Sequence, residues 1–292
     1  MADDDSTLPR RQLGRLLHRY RDEVGLSLAQ AARLVDIGTT TLHRLEKGQA
    51  NKVRLGVVQQ LCEIYERAPE EIAAARYLAS QGAVKSWFAE YNDLLPDGFD
   101  DYVSLEASAR QLLSYEELVP GLLQTRDYAR TMIRSFLPLD EDDDIERRVD
   151  LRMKRQMIIK RKTEPVEFAV VLHESALRRA VGTPRMMVNQ LRHLADESTR
   201  PNITVRVLPF AAGIPMGLLP GTFVILDFGQ DGKGRRREPS VVYLESVLTG
   251  KIYLEREHDV DRYRSVWAAF HNASLNAAES RVLIRKIAKE FL

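Results

Sequence analysis

From Pro9 to Ala79 apolar residues recur at helical spacing, with no strand-like alternation, and glycines at 25, 38 and 48 cut the pattern into short pieces. This restricts the first quarter of the chain to an all-α unit. Five helices fit, over roughly 9–24, 28–35, 39–46, 54–66 and 69–79.

Beyond residue 80 the texture changes. A further helix is expected over 83–95, with Trp87, Phe88 and Tyr91 on one face. Val166–Leu172, Ile203–Leu208, Thr222–Phe228, Ser240–Leu244 and Lys251–Leu254 are rich in β-branched and aromatic residues and read as strands. Gly229–Gly234 reads as a hairpin loop. Helical patterns cover about 124–136, 143–162, 184–198, 257–272 and 276–290. In the third-to-last block before the strands, Arg147–Lys162, apolar Val149, Met153, Met157 and Ile158 are expected on one packed face. The acidic cluster Asp140–Asp144 fits a loop leading into a helix N-terminus. Helices and strands come in runs, so the larger C-terminal part reads as α+β. The expected organisation is a disordered acidic tail over 1–8, a helical domain over 9–80 and an α+β domain over 81–292.

At 292 residues the chain is long enough for two domains. Its 44% hydrophobic and 29% charged residues are ordinary for a globular protein. No apolar run approaches the ~18 residues needed to span a bilayer. The start Met1-Ala2-Asp3-Asp4-Asp5 is acidic where a secretory signal would be basic, which points to the cytoplasm and no membrane role. The lone Cys62 excludes an intrachain disulfide and a cysteine-based zinc site, and is expected to be a buried structural thiol. Net charge is +1, but residues 9–80 carry 12 Lys/Arg against 8 Asp/Glu. A basic module suits a polyanionic partner, because Lys and Arg near phosphates displace condensed counterions.

Gly25 to Gly48 carries the most chemistry. Gly25 ends one helix and Ser27 caps the next. Ala32 allows close helix crossing, Ile37 and Leu42 anchor the turn, and Leu34, Val35 and Leu45 complete an apolar seam. The third helix then presents Thr39, Thr40, His43 and Arg44 on a polar face. A short helix and a tight turn holding a second helix is the geometry that fits a major groove.

With those residues in place, 13–67 resembles the lambda-repressor-like helix-turn-helix family, also called the xenobiotic-response-element family. The matching positions are Gly25, Ser27, Ala32, Ile37 and Leu45-Glu46-Lys47-Gly48. The resemblance implies base contacts from Thr39, Thr40, His43 and Arg44. Backbone contacts are implied for Lys47, Asn51, Lys52 and Arg54. It also implies a buried structural salt bridge between Arg21 and Glu46. Arg44 is the most capable reader, since a guanidinium bonds a guanine edge bidentately. Two positions depart from the family: Leu28 stands where many relatives have a DNA-contacting Gln, and Gly38 replaces the usual Ser/Thr cap.

A second resemblance covers most of 85–285. Val119-Pro120-Gly121-Leu122-Leu123-Gln124-Thr125 with Asp127-Tyr128-Ala129 is similar to the hallmark of a C-terminal domain of actinobacterial helix-turn-helix regulators. His173–Arg179, Gln190–Leu194, Val207–Phe210 and Val242–Glu245 support it. Such proteins resemble antitoxins and are often paired with a small companion protein that modulates DNA binding. Pro120-Gly121 is first a turn; alternatively, Pro120, Gly121, Gln124 and Thr125 form a partner or ligand loop.

His173-Glu174 lacks the second His of a zinc hydrolase helix, because Leu177 stands at the fifth position. Neither a nucleophile elbow nor a phosphate-binding Gly-Lys-Ser/Thr loop appears, so no enzyme activity, catalytic residue, metal or cofactor is expected. Arg235-Arg236-Arg237 reads as a solvated hairpin tip rather than a second phosphate patch. The expected protein is a sequence-specific regulator that binds a palindromic operator in double-stranded DNA as a homodimer. Its C-terminal domain would take a companion protein or, alternatively, a small-molecule effector.

Overall fold

The computed structural model describes residues 8–50, 52–81, 88–94, 99–230, 238–246 and 250–292. The chain divides into two compact units, Met1–Leu105 and Glu106–Leu292.

Unit 1 is helical: α1 (Leu8–Glu23), α2 (Leu28–Leu34), α3 (Thr39–Glu46), α4 (Leu55–Ile64) and α5 (Pro69–Gln81) match the expected helices to within two residues. Most of the expected acidic tail lies outside the described residues, and Leu8 already belongs to α1. The core is built from Leu13, Leu17, Leu42, Val58, Leu61, Cys62 and Tyr65. Each of the first four helices stops at a residue with positive φ: Gly25, Asp36, Gly48 and Glu66. In each case paired bonds close the last turn, such as Ile37 N–H to Ala32 O at 3.0 Å and Asp36 N–H to Arg33 O at 3.3 Å.

The boundary falls later than the expected 80/81. Over the described part of 83–95 there is a 3-10 turn, Ala89–Leu94, and no long helix. Phe88, Tyr91 and Leu94 are buried, a spacing of three that suits the 3-10 period. Trp87 lies outside the described residues. The next helix, α6 (Phe99–Ser108), was not legible in the sequence, and its Asp101 pairs with Arg11 on α1, which ties this stretch to unit 1.

Unit 2 holds a six-stranded mixed sheet ordered β3-β2-β1-β4-β5-β6. Its strands are β1 (Gln111–Glu116), β2 (Glu167–His173), β3 (Ile203–Leu208), β4 (Phe223–Asp227), β5 (Val241–Ser246) and β6 (Gly250–Leu254). β1, β2 and β3 are parallel, with Leu112 opposite Phe168 and Phe168 opposite Ile203. β4, β5 and β6 extend the sheet antiparallel from β1, with Leu112 opposite Leu226. The crossovers are α7 (Arg126–Phe136), α8 (Asp142–Arg155) and α9 (Met157–Lys160), then α10 (Ser175–Arg178) and α11 (Pro184–Glu197). α12 (Glu257–Ala273) packs Val260, Tyr263, Val266 and Phe270 on Tyr115, Phe223 and Val242. α13 (Ala277–Glu290) follows, and Val207 at the β3 edge bonds Leu275 N–H and Ser280 Oγ, which closes that edge. The result is an α+β domain, as the runs of helix and strand implied.

Two local expectations need correction. The helix expected over 143–162 breaks at Gln156, whose side chain turns inward to bond Gly121 O and Gln124 O at 3.1 and 2.7 Å. The break rotates Met157 off the packed face, so it is 59% exposed while Val149 and Ile158 are buried. Leu34 likewise stands outside the apolar seam, 60% exposed, because α2 ends there and Val35 takes the inward position after Ala31. The hairpin loop after β4 begins at Gly229 with φ 72°, and Asp231–Gly234 lies outside the described residues.

Candidate nucleic-acid interface

α2 starts with a capping box: Ser27 Oγ accepts from Gln30 N–H at 3.3 Å, and Gln30 Oε1 accepts from Ser27 N–H at 2.9 Å. Asp36 then reverses the chain in the left-handed region, and Gly38, with φ −67°, is only the N-cap of α3. Gly38 offers no side-chain acceptor to the first turn, which leaves the amides of Thr39 and Thr40 open to an anion. In α3, Leu42, Leu45 and Glu46 are buried; Thr39, Thr40 and His43 are exposed and Arg44 is half-buried. Thr40, His43, Arg44 and Lys47 follow i, i+3, i+4, i+7 spacing, so they share one outward face.

What holds this face in place is an ionic clamp. Arg21 on α1 donates from Nε to Glu46 Oε1 at 2.7 Å and from Nη2 to Glu46 Oε2 at 2.9 Å. Its Nη1 donates to Leu26 O at 2.8 Å, which ties α1 to the entry of α2 as well as to the end of α3. Both partners are buried, and hydrogen bonding to Glu46 raises the Arg21 pKa further. His18 Nδ1 lies 2.8 Å from Glu46 Oε2 and completes the shell.

Gly14 is a site residue that the sequence reading missed. A Cβ there would come within 2.4 Å of Glu46 O and 2.7 Å of Leu45 O, so α1 lies directly against the C-terminal turn of α3. The closest helix approach is therefore at Gly14, and no spacing rule would have marked it. Gly14→Ala is expected to force the helices apart and destabilise unit 1 by about 1–3 kcal/mol. Denaturant unfolding monitored on α1 and α3 checks this.

Charge is divided unevenly over unit 1. Arg19, Arg21 and Arg67 are engaged with Glu23 and Glu46. By contrast Arg33, Arg44, Lys47, Lys52 and Arg54 form no ion pair among the described residues. These cations lie on the outer side of α2, on α3 and in the link before α4. Asn51 lies outside the described residues. Cys62 is fully buried and free, and burial pushes its thiol up to about 11, out of reach of redox chemistry at neutral pH.

In unit 2 the Val119–Thr125 segment is turned inward. Pro120 leads a 3-10 turn, Gly121–Leu123, and Thr125 caps α7 by accepting from Tyr128 N–H. Gln124 is buried, donating to Val119 O at 2.7 Å and accepting from Arg152 at 2.8 Å. Gln190 donates to Leu123 O and accepts from Thr125 N–H, at 2.8 and 2.7 Å. Gln124, Gln156 and Gln190 thus satisfy this backbone from three directions, an internal clamp in which Gln124 is not offered to a partner. His173 Nδ1 is engaged with Ser175 Oγ at 2.7 Å, and Leu177 beside it is buried. Among the described residues no three His, Cys, Asp or Glu gather as a metal site, and no helix is long and apolar enough to cross a membrane. Arg235–Arg237 lies outside the described residues.

Comparison with known families agrees with this division. Residues 12–75 match the model of a helix-turn-helix domain, and residues 99–286, more than half of the chain, match a domain of unknown function, DUF5753. The chain belongs to the DUF5753 family. Neither the curated proteins nor the solved structures contain a significant match. The DUF5753 match contains the whole sheet and the inward-turned Val119–Thr125 segment, while the helix-turn-helix match spans α2, α3 and the clamp that holds them. A helix-turn-helix unit joined to this domain makes the chain a DNA-binding regulator.

Proposed function

We propose that the chain is a sequence-specific transcriptional regulator of the lambda-repressor-like type that acts in the cytoplasm as a homodimer on a palindromic operator. The observation that carries this is the pairing of a rigidly clamped α3 with unneutralised cations on and beside it. Thr39, Thr40, His43 and Arg44 face the base edges, and Lys47, Asn51, Lys52 and Arg54 contact phosphates. A single unit of this size reads only a half-site, and two copies related by a two-fold axis read both. The chain carries no catalytic step. Its DUF5753 unit receives a small companion protein, as in the antitoxin-like regulators that the Val119–Thr125 hallmark resembles.

Selection of bound sequences from fragmented genomic DNA, run with the wild type and with Arg44→Ala, tests the reading. The wild type is expected to enrich a palindrome. Arg44→Ala is expected to lose about 1–3 kcal/mol on that site and to relax specificity at one position of each half. Equal weakening on all sequences would make Arg44 a phosphate contact, and enrichment of no site by the wild type would sink the proposal.

A further inference from the structure

Between β3 and β4 the chain runs from Pro209 to Thr222 without one charged side chain. Phe210, Ile214, Met216, Leu218 and Leu219 are each between 43% and 69% exposed. No other run of described residues in unit 2 places so many large apolar side chains in water, and a contiguous patch of this kind marks an interaction surface. The segment is also held in one shape. Ala212, Gly213 and Gly217 N–H groups close turns onto Pro209, Phe210 and Ile214 at 2.9 to 3.1 Å. Glu174 Oε2 accepts from Phe210 N–H at 3.0 Å, and the His173 ring stands edge-on to Phe210 at 5.0 Å. Met216 is kept at φ 62°, a conformation that disfavours a side chain with a Cβ and persists where the surroundings impose it.

We propose that residues 209–222 are the self-association surface of this chain, with the same segment of a second copy packed against it about a two-fold axis. Charge selects this occupant. A two-fold contact sets each residue near its own copy, so a charged patch repels itself and an uncharged one does not. The charges beside the segment are compensated within the protomer: Glu174 by Arg178, Arg178 also by Glu290, and Arg179 by Glu117. The surface therefore offers nothing for an acidic or basic partner to answer. A shape held before binding lowers the ordering cost of association. A standard interface buries roughly 800 Å² on each side, so these side chains form its apolar centre and their neighbours its rim. The choice of a second copy rests on the proposed palindromic operator, which needs two reading heads.

Sedimentation equilibrium of the full chain without DNA tests the inference. The comparison is among wild type, Met216→Lys/Leu219→Lys and, as a control at an exposed apolar site elsewhere, Leu139→Lys. The wild type and the control are expected to dimerise alike, and the double variant to dissociate at least about tenfold more readily. Circular dichroism should show all three folded, and Leu219→Gln carries the same test with a smaller perturbation. A monomeric wild type, or variants as dimeric as the wild type, overturns the inference, whatever else the segment binds. If the variants become monomers while no DNA site is enriched, the surface stands and the operator reading falls. Where a palindrome is known, the double variant should bind an isolated half-site as the wild type does and lose only the advantage of the full site.

Discussion

Glu46→Ala is expected to destabilise the helix-turn-helix unit by about 3 kcal/mol, the lower end of the range for breaking a buried ion pair. Removal of the carboxylate takes both charge-assisted bonds from Arg21 and leaves its guanidinium in the interior. Arg21 keeps Leu26 O and the exposed carboxylate of Asp22, which is why the loss stays at the lower end. Hydrogen exchange should show protection lost first in α1 and α3, which the pair joins. The double variant Arg21→Met/Glu46→Leu removes both charges together, and a cost much smaller than the sum of the single changes is expected. If Glu46→Ala left the unfolding midpoint unchanged, the clamp would not be what orients α3.

A larger loss is expected for Glu106→Ala, about 4–5 kcal/mol, because this pair is more deeply buried. Arg155 on α8 donates from Nε and Nη2 to the two oxygens of Glu106, both at 2.8 Å, and Glu106 is 1% exposed. The bonds join α6 to the last turn of α8, next to the break at Gln156 that supports the Val119–Thr125 turn. Denaturant unfolding followed through unit 2 should show the lowered midpoint. Glu106→Gln, which keeps acceptor and shape but not charge, should recover part of the loss. An unchanged midpoint for Glu106→Ala would mean that water reaches Arg155 and the pair is not structural.

Neither of these pairs was equally visible beforehand. Arg21 and Glu46 were named from a family resemblance; Glu106 and Arg155 were not named at all, because they are 49 positions apart and each lies among other charges. The same limit hid β1. Its residues Gln111-Leu-Leu-Ser-Tyr-Glu116 show no alternation, since a central strand is buried on both faces and Ser114 sits in the interior. The break at Gln156 escaped notice for a related reason: a glutamine in a helical run looks like a wet residue until its acceptors, on a turn some 35 positions earlier, are known.

Periodicity, capping residues and turn chemistry are properties of neighbours along the chain, and they sufficed for the helices of unit 1, the exposed face of α3, five of the six strands and the α+β class. Three further features were decided elsewhere. Gly14 matters because the backbone of α3 lies on it, Gln124 is withdrawn because Arg152 and Val119 hold it, and residues 209–222 are exposed because no element of the described fold covers them. A sequence states what each segment prefers; close approach, burial of a polar group and exposure of an apolar one exist only once distant segments have met.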